Sequence, residues 1–216
     1  MSRHKFEFDL DGSPITIETG HLALQANGAV TVRWGDTVVL VTACMGKKDS
    51  TFPFFPLYVD YREKAYAAGK IPGAIFKREA RPSEHEILSA RLIDHQIRPL
   101  FPKAFKREPH VLVNVISHDQ QYEADVLACL GASIALGLSD IPFDGPFGCL
   151  RISEVDGKKI INPCYADREA ADYDIVVAGR EDSLTNIEGH AQEISDEVMI
   201  EALEYAHGWI AKLCEW

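Results

Sequence analysis

The chain has 216 residues, of which 46% are apolar, 25% charged and 9% aromatic, enough apolar material for a sizeable core. No apolar run approaches the roughly 20 residues that span a bilayer, and the opening MSRHKFEFDLDGSPITIETG lacks the apolar stretch of a signal peptide, so a cytoplasmic protein with no membrane partner is expected. The net charge of −11 argues against a polyanionic partner for the chain as a whole. Its distribution reverses that argument locally: residues 62–107 carry 11 Lys and Arg against 5 Asp and Glu, so half of the positive charge lies in about a fifth of the chain. Five cysteines, at 44, 129, 149, 164 and 214, form no CxxC pair; they read as reduced thiols and argue against a disulfide scaffold or a zinc finger.

The first sixty residues alternate between apolar and polar positions. FEFDL, PITIETG, AVTVRW, TVVLVTACMG and FPFFPLYVDY, separated by turns such as DGSP and WGDT, predict antiparallel strands, with a hairpin at Trp34–Thr37. From Ala65 to Arg81 the run AYAAGKIPGAIFKREAR has two glycines, one proline and no sustained period, and predicts a loop. Ser83 with Glu86 three residues on is a capping box after Pro82, and predicts a helix to about Arg98, where Pro99 disfavours continuation.

VLVNVIS (111–117) predicts a strand, and residues 123–138 a second helix whose many Ala and Gly suit close packing on a sheet. A hairpin CLRISEV-DGK-KIINP, strands YDIVVAG and SLTNIEG, and a helix from Ser195 to Cys214 complete the order. This pattern predicts an α+β fold, a mixed, mostly antiparallel sheet with helices packed on one side, as a single domain over residues 1–216.

Arg91, His95 and Arg98 fall at i, i+4 and i+7 of the first helix, within about 60° of one another, so one helix face is cationic. A guanidinium's planar fork suits phosphate. The same spacing also fits a helix whose Arg98 caps its own C-terminus and whose Arg91 pairs with Asp94 or Glu84. In the loop, Ile75-Phe76-Lys77-Arg78 sets two large apolar side chains before two cations, with Arg81 just beyond. A ring that stacks on bases beside cations that neutralise phosphates is a platform for single-stranded nucleic acid. The alternative places Ile75 and Phe76 in the core of a short strand. No GxSxG, HExxH or Walker A motif competes.

TVVLVTA, FFPLYVDYREKAYAAG, AAGKIPGAIFKREARPSEHEIL, ARLIDHQIRPLFP, LGASIALGLSDIPFDGPFG and DIVVAG, in that order, make the chain resemble the first RNase PH-like domain of the bacterial polynucleotide phosphorylases, from about Phe6 to the last helix. The resemblance implies a processive 3′→5′ phosphorolytic exoribonuclease, acting in RNA degradation. Such an enzyme attacks RNA with inorganic phosphate, releases nucleoside diphosphates, runs the reverse polymerisation and requires a divalent cation, usually Mg2+. It further implies a homotrimeric ring around a channel for single-stranded RNA and a longer chain carrying a second RNase PH-like domain.

Carried over residue by residue, the resemblance implies RNA contacts at Phe76, Lys77 and Arg78 in the channel loop and at Arg91, His95 and Arg98 on the helix, with Arg81 flanking the loop. Three departures stand out: Ile75 where the family has an aromatic, Lys77 where it has arginine, and His95 where a permanently basic residue is common. Active domains hold phosphate on a serine-containing turn at a helix N-terminus; Tyr122-Glu123-Ala124-Asp125 stands there instead, and its two carboxylates are expected to repel an anion. Active domains also carry an Asp, a second Asp six residues on and a Lys two further. Asp174 matches the second, while Arg168 and Val176 replace the others.

The resemblance thus implies a domain without catalytic residues or metal ligands of its own, supplying RNA grip, ring contacts and channel lining. Two other readings are a free-standing, active nuclease of the RNase PH type and a pure assembly module whose basic loop meets an acidic neighbour.

Overall fold

The computed structural model describes residues 2–73 and 81–216. Alternation builds the first half of the chain into a sheet. Strands β1 (His4–Leu10), β2 (Ser13–Thr19), β3 (Gly28–Trp34), β4 (Thr37–Asp49), β5 (Tyr58–Glu63) and β6 (Arg107–Ser117) lie in the order β1-β2-β3-β4-β6-β5. Trp34 pairs with Thr37 across the expected hairpin, where Gly35 takes the left-handed φ of 57° that the tight turn requires. Every neighbouring pair is antiparallel except β5 and β6. A parallel pair needs a crossover, and helix α1 (Glu84–Ile97) lies in it.

Period-2 alternation buries one face of this sheet: Val30, Val32, Val39, Val41, Val111 and Val113 are all at most 1% exposed. Helix α2 (Asp125–Gly137) packs on β3 and β4 of that face. The approach depends on missing side chains, because a Cβ on Gly131 would lie 2.5 Å from Val41 Cγ2 and one on Gly28 would collide with the backbone carbonyl of Ala135.

The second half forms another sheet. Strands β7 (Gly148–Val155), β8 (Lys158–Ile161), β9 (Tyr173–Gly179) and β10 (Leu184–Ala191) run antiparallel in the order β10-β9-β7-β8. Helix α3 (Tyr165–Ala170) joins β8 to β9, and α4 (Asp196–Glu215) follows β10. Helix α4 covers one face of β7 and β9, and α2 meets β7. Since Gly148 on β7 abuts Ile210 and Leu213 of α4 while Arg151 on the same strand reaches Asp125 of α2, α2 lies between the two sheets. Among the described residues, one buried apolar cluster runs through both.

The expected α+β class and the mostly antiparallel pairing are present, divided between two sheets. FPFFPLYVDY becomes strand only from Tyr58, because Pro53 and Pro56 offer no N–H to a ladder. A 3-10 turn, Ala65–Ala68, opens the expected loop and ends at Gly69, with φ 67°. Among the described residues no helix is long and apolar enough to cross a membrane.

Candidate functional site

The capping box forms as expected: Ser83 Oγ accepts from Glu86 N at 3.2 Å, and Glu86 Oε2 accepts from Ser83 N at 2.6 Å. The other Glu86 oxygen accepts from Glu63 N at 2.9 Å, so one carboxylate ties the start of α1 to the end of β5. Leu92, Ile93 and Ile97 are buried, which leaves Arg91, His95 and Arg98 together on the exposed face.

Their partners differ. Arg98 donates to both oxygens of Asp94, at 2.8 and 2.6 Å, and to the Phe55 carbonyl at 3.2 Å, so its fork is already engaged within the protein. His95 Nδ1 lies 3.0 Å from Glu188 Oε1 on β10. Burial opposes ionisation of Glu188, but hydrogen bonds from Asn186 and His95, with the charge of His95 and Arg91, lower its pKa. Arg81 is exposed beside Pro82 at the entry to α1. Phe76, Lys77 and Arg78, with Ile75, lie outside the described residues.

The start of α2 is filled by the chain's own side chains. Arg151, from the α2-facing side of β7, donates Nη2 to Asp125 Oδ2 at 2.6 Å and Nη1 to Asp174 Oδ2 at 2.9 Å. Arg168, carried by α3, donates Nε to Asp174 at 2.8 Å and Nη1 to Glu123 Oε1 at 3.0 Å. Ser153 Oγ donates to the other Asp174 oxygen at 3.1 Å, and Asp125 Oδ1 accepts from Val126 N at 2.7 Å. Arg151, Asp125 and Asp174 are each less than 9% exposed.

Electrostatics at this point therefore differ from simple repulsion. Glu123 and Asp125 stand at the start of α2, as the sequence places them, but both are paired with arginine. Burial works against ionisation of Glu123, and hydrogen bonds from His85 and Arg168 outweigh it, holding its carboxyl near 2. Burial raises the Asp125 carboxyl against the pull of Arg151. The space left against Trp34, Tyr122, Val126 and Arg151 is about 10 Å3, roughly one water. A larger cavity of about 320 Å3 on the other side of Glu123 is lined by Glu63, Lys64, His85, His118 and Tyr165, so carboxylates and cations meet on its wall.

The same residues do not fit a divalent cation. Asp174 Oδ2 already accepts from two guanidinium groups and Oδ1 from a hydroxyl, so a metal would have to displace both arginines from a buried pocket.

His85, which sequence reasoning missed, joins the two clusters. Its Nδ1 is 3.1 Å from Glu63 and its Nε2 3.4 Å from Glu123. Hydrogen bonds to Glu123 and Glu63 raise its pKa to about 10. A histidine with a raised folded-state pKa stabilises fully below its unfolded value of about 6.5 and loses that contribution as pH climbs through 10. With half of the side chain exposed, water screens the pair and the effect is small. The melting temperature of the wild-type chain is expected to exceed that of His85→Gln most below pH 6.5, with the gap closing toward pH 10. A gap constant from pH 6 to 10 contradicts the ion pair. Arg151 was also missed, although a signal existed: Arg151 in CLRIS and Asp174 in YDIVVAG are lone charges in apolar strands.

Two family models of the 3′ exoribonuclease (RNase PH) family match the chain, domain 1 over residues 11–142 and domain 2 over residues 145–208. The chain belongs to this family. It is 49% identical over 216 residues to a polyribonucleotide nucleotidyltransferase of Halalkalibacterium halodurans and 50% identical over 216 residues to one of a Sulfurihydrogenibium species, covering 100% of this chain and 31% of each relative. A polyribonucleotide nucleotidyltransferase of Nitratidesulfovibrio vulgaris is 53% identical over 205 residues, covering 94% of the chain and 27% of that relative. The chain thus spans less than a third of the length of these family members. An Archaeoglobus fulgidus exosome, solved with RNA bound to the active site, superposes with a TM-score of 0.69 at 16% identity, covering 93% of this chain and 85% of that one. That likeness establishes the RNase PH fold.

Proposed function

We propose that this chain is the RNA-gripping, channel-lining and ring-forming domain of a processive 3′→5′ phosphorolytic exoribonuclease, and that it performs no phosphorolysis itself. The observation that supports this reading is the arginine-filled pocket at the start of α2, where Arg151 and Arg168 neutralise Asp125, Asp174 and Glu123 and the space left beside Arg151 is about 10 Å3. A phosphorolytic site must hold the attacking anion in line with the scissile bond, and this pocket holds guanidinium groups instead.

Residues 1–216 act as one domain in this reading, consistent with the apolar cluster shared by both sheets. Magnesium and the phosphate co-substrate belong to a second RNase PH-like domain, within a homotrimeric ring in the cytoplasm. The relatives' name supports the overall activity.

Single-stranded RNA is the partner this domain meets. Phe76 stacks on bases, Lys77, Arg78 and Arg81 neutralise phosphates, and Arg91 and His95 extend the cationic path along α1. Arg98 contributes more to the helix end and to the Phe55 segment than to RNA, because Asp94 holds its fork. Binding of a single-stranded oligonucleotide, measured against salt, is the test. Each phosphate contact on a single strand contributes about 0.7 to the slope of log affinity against log salt, so replacing Lys77 and Arg78 by Ala flattens it by about 1.4. An unchanged slope would favour the assembly-module reading.

A further inference from the structure

The geometry points to a second single-stranded RNA platform on this chain, built by Phe52 and Phe54 with the lysines of the β4 end and the β6 start, distinct in sequence from the basic loop. This inference rests on the RNA-handling role proposed above and extends it to a surface that the sequence motifs left unused.

Phe52 and Phe54 are 57% and 65% exposed, and their rings stack on one another at 5.2 Å with 13° between planes. Large exposed aromatics are costly in water and call for a reason. These two flank Pro53, which restricts the backbone between them. The next residue, Phe55, turns inward onto Phe101 at 4.9 Å and Phe105 at 6.1 Å, which fixes the base of the platform. Arg98 secures it from the helix side, donating to the Phe55 carbonyl at 3.2 Å and lying 5.7 Å over its ring. The segment that carries the rings is thus tied to α1 through Phe55.

Positive charge lies on the segments that lead to the rings. Lys47 and Lys48 end β4, and Lys103, Lys106 and Arg107 lead into β6; all five are exposed. The two segments run side by side, since Ser50 N donates to the Lys106 carbonyl at 2.9 Å and Asp49 pairs with Arg107 in the ladder. Two acidic residues lie among them, Asp49 3.8 Å from Arg107 and Glu108 3.9 Å from His110. The four lysines make no ion pair among the described residues. Exposed rings offer every base a π-face without reading its identity, and the lysines neutralise the phosphates between stacked bases. An apolar protein partner would not require this charge, and a duplex, whose bases are already stacked, could not use the rings.

The test is the affinity of the 216-residue chain for an oligoadenylate and for a duplex RNA of equal length. Phe52→Ala with Phe54→Ala is expected to weaken oligoadenylate binding at least about fivefold, to leave duplex binding unchanged, and to leave the melting temperature unchanged because both rings are exposed. Lys103→Ala with Lys106→Ala is expected to flatten the salt slope by about 1.4. If the wild-type chain binds and the Lys77/Arg78 variant weakens it while Phe52/Phe54 does not, the platform is refuted and the role of the loop stands. If the wild-type chain binds no oligoadenylate, both fall. A Phe52/Phe54 variant that changes oligomeric state or melts early, with unchanged affinity, would reassign the rings to a contact between copies or to the core.

Discussion

Arg151→Ala is expected to destabilise the chain by about 3–5 kcal/mol, the range for removing one partner of a buried ion pair. Arg151 is 8% exposed and bridges two carboxylates, Asp125 at 2.6 Å and Asp174 at 2.9 Å, that are buried with it. Among the described residues, truncation leaves Asp125 with the Val126 amide, and Asp174 with Arg168 and Ser153. Low dielectric makes each unpaired buried charge costly, and the α2 end and the β7–β9 pair both depend on this link. Lysine does not rescue it, because a single ammonium cannot extend two nitrogens to carboxylates on different elements. Urea unfolding of Arg151→Ala and Arg151→Lys measures the effect, and a loss under about 1 kcal/mol for the alanine variant would mean that water reaches the pocket.

Gly28→Ala is expected to be the next most damaging change, about 1–3 kcal/mol, as overpacking of a close-packed core costs. The added Cβ meets the main-chain carbonyl of Ala135, and backbone cannot rotate away as a side-chain tip can. Helix α2 must lift from β3 or shift along it, and it lies between the two sheets. Gly137→Ala is the control, since a Cβ there meets nothing within 4 Å. Thermal unfolding of the two variants should separate clearly; equal melting temperatures would show that α2 is not held against β3.

The elements that sequence made legible are those where one local rule acts alone. Val alternating with Thr marked β3 and β4, Val at every second position marked β6, and Ser83 with Glu86 marked the start of α1. Two competing rules met at FPFFPLYVDY, where aromatic β-propensity suggested strand and two prolines removed the donors that a ladder needs. Helix α3, with six residues, is too short to show a period, yet it positions Arg168. The division into two sheets depends on which faces meet α2, a long-range property that no window of sequence contains.

At the candidate site the carboxylates of Glu123, Asp125 and Asp174 were visible from their positions, but their neutralisation was not. Arg151 lies 26 residues from Asp125 and 23 from Asp174, and His85 reaches Glu123 from another helix. Arg98 shows the converse: its place on a cationic helix face was correct, while its fork is occupied by Asp94 four residues earlier, a pairing that the same spacing allowed.

The most direct measurement is phosphate-dependent release of nucleoside diphosphate from single-stranded RNA by the purified 216-residue chain in the presence of Mg2+. On the proposed reading, in which arginines fill the pocket at the start of α2, the expected result is RNA binding with no release above a protein-free control at any phosphate concentration. Release that scales with the amount of chain and disappears in Asp174→Asn would contradict the account and restore this pocket as a working active site.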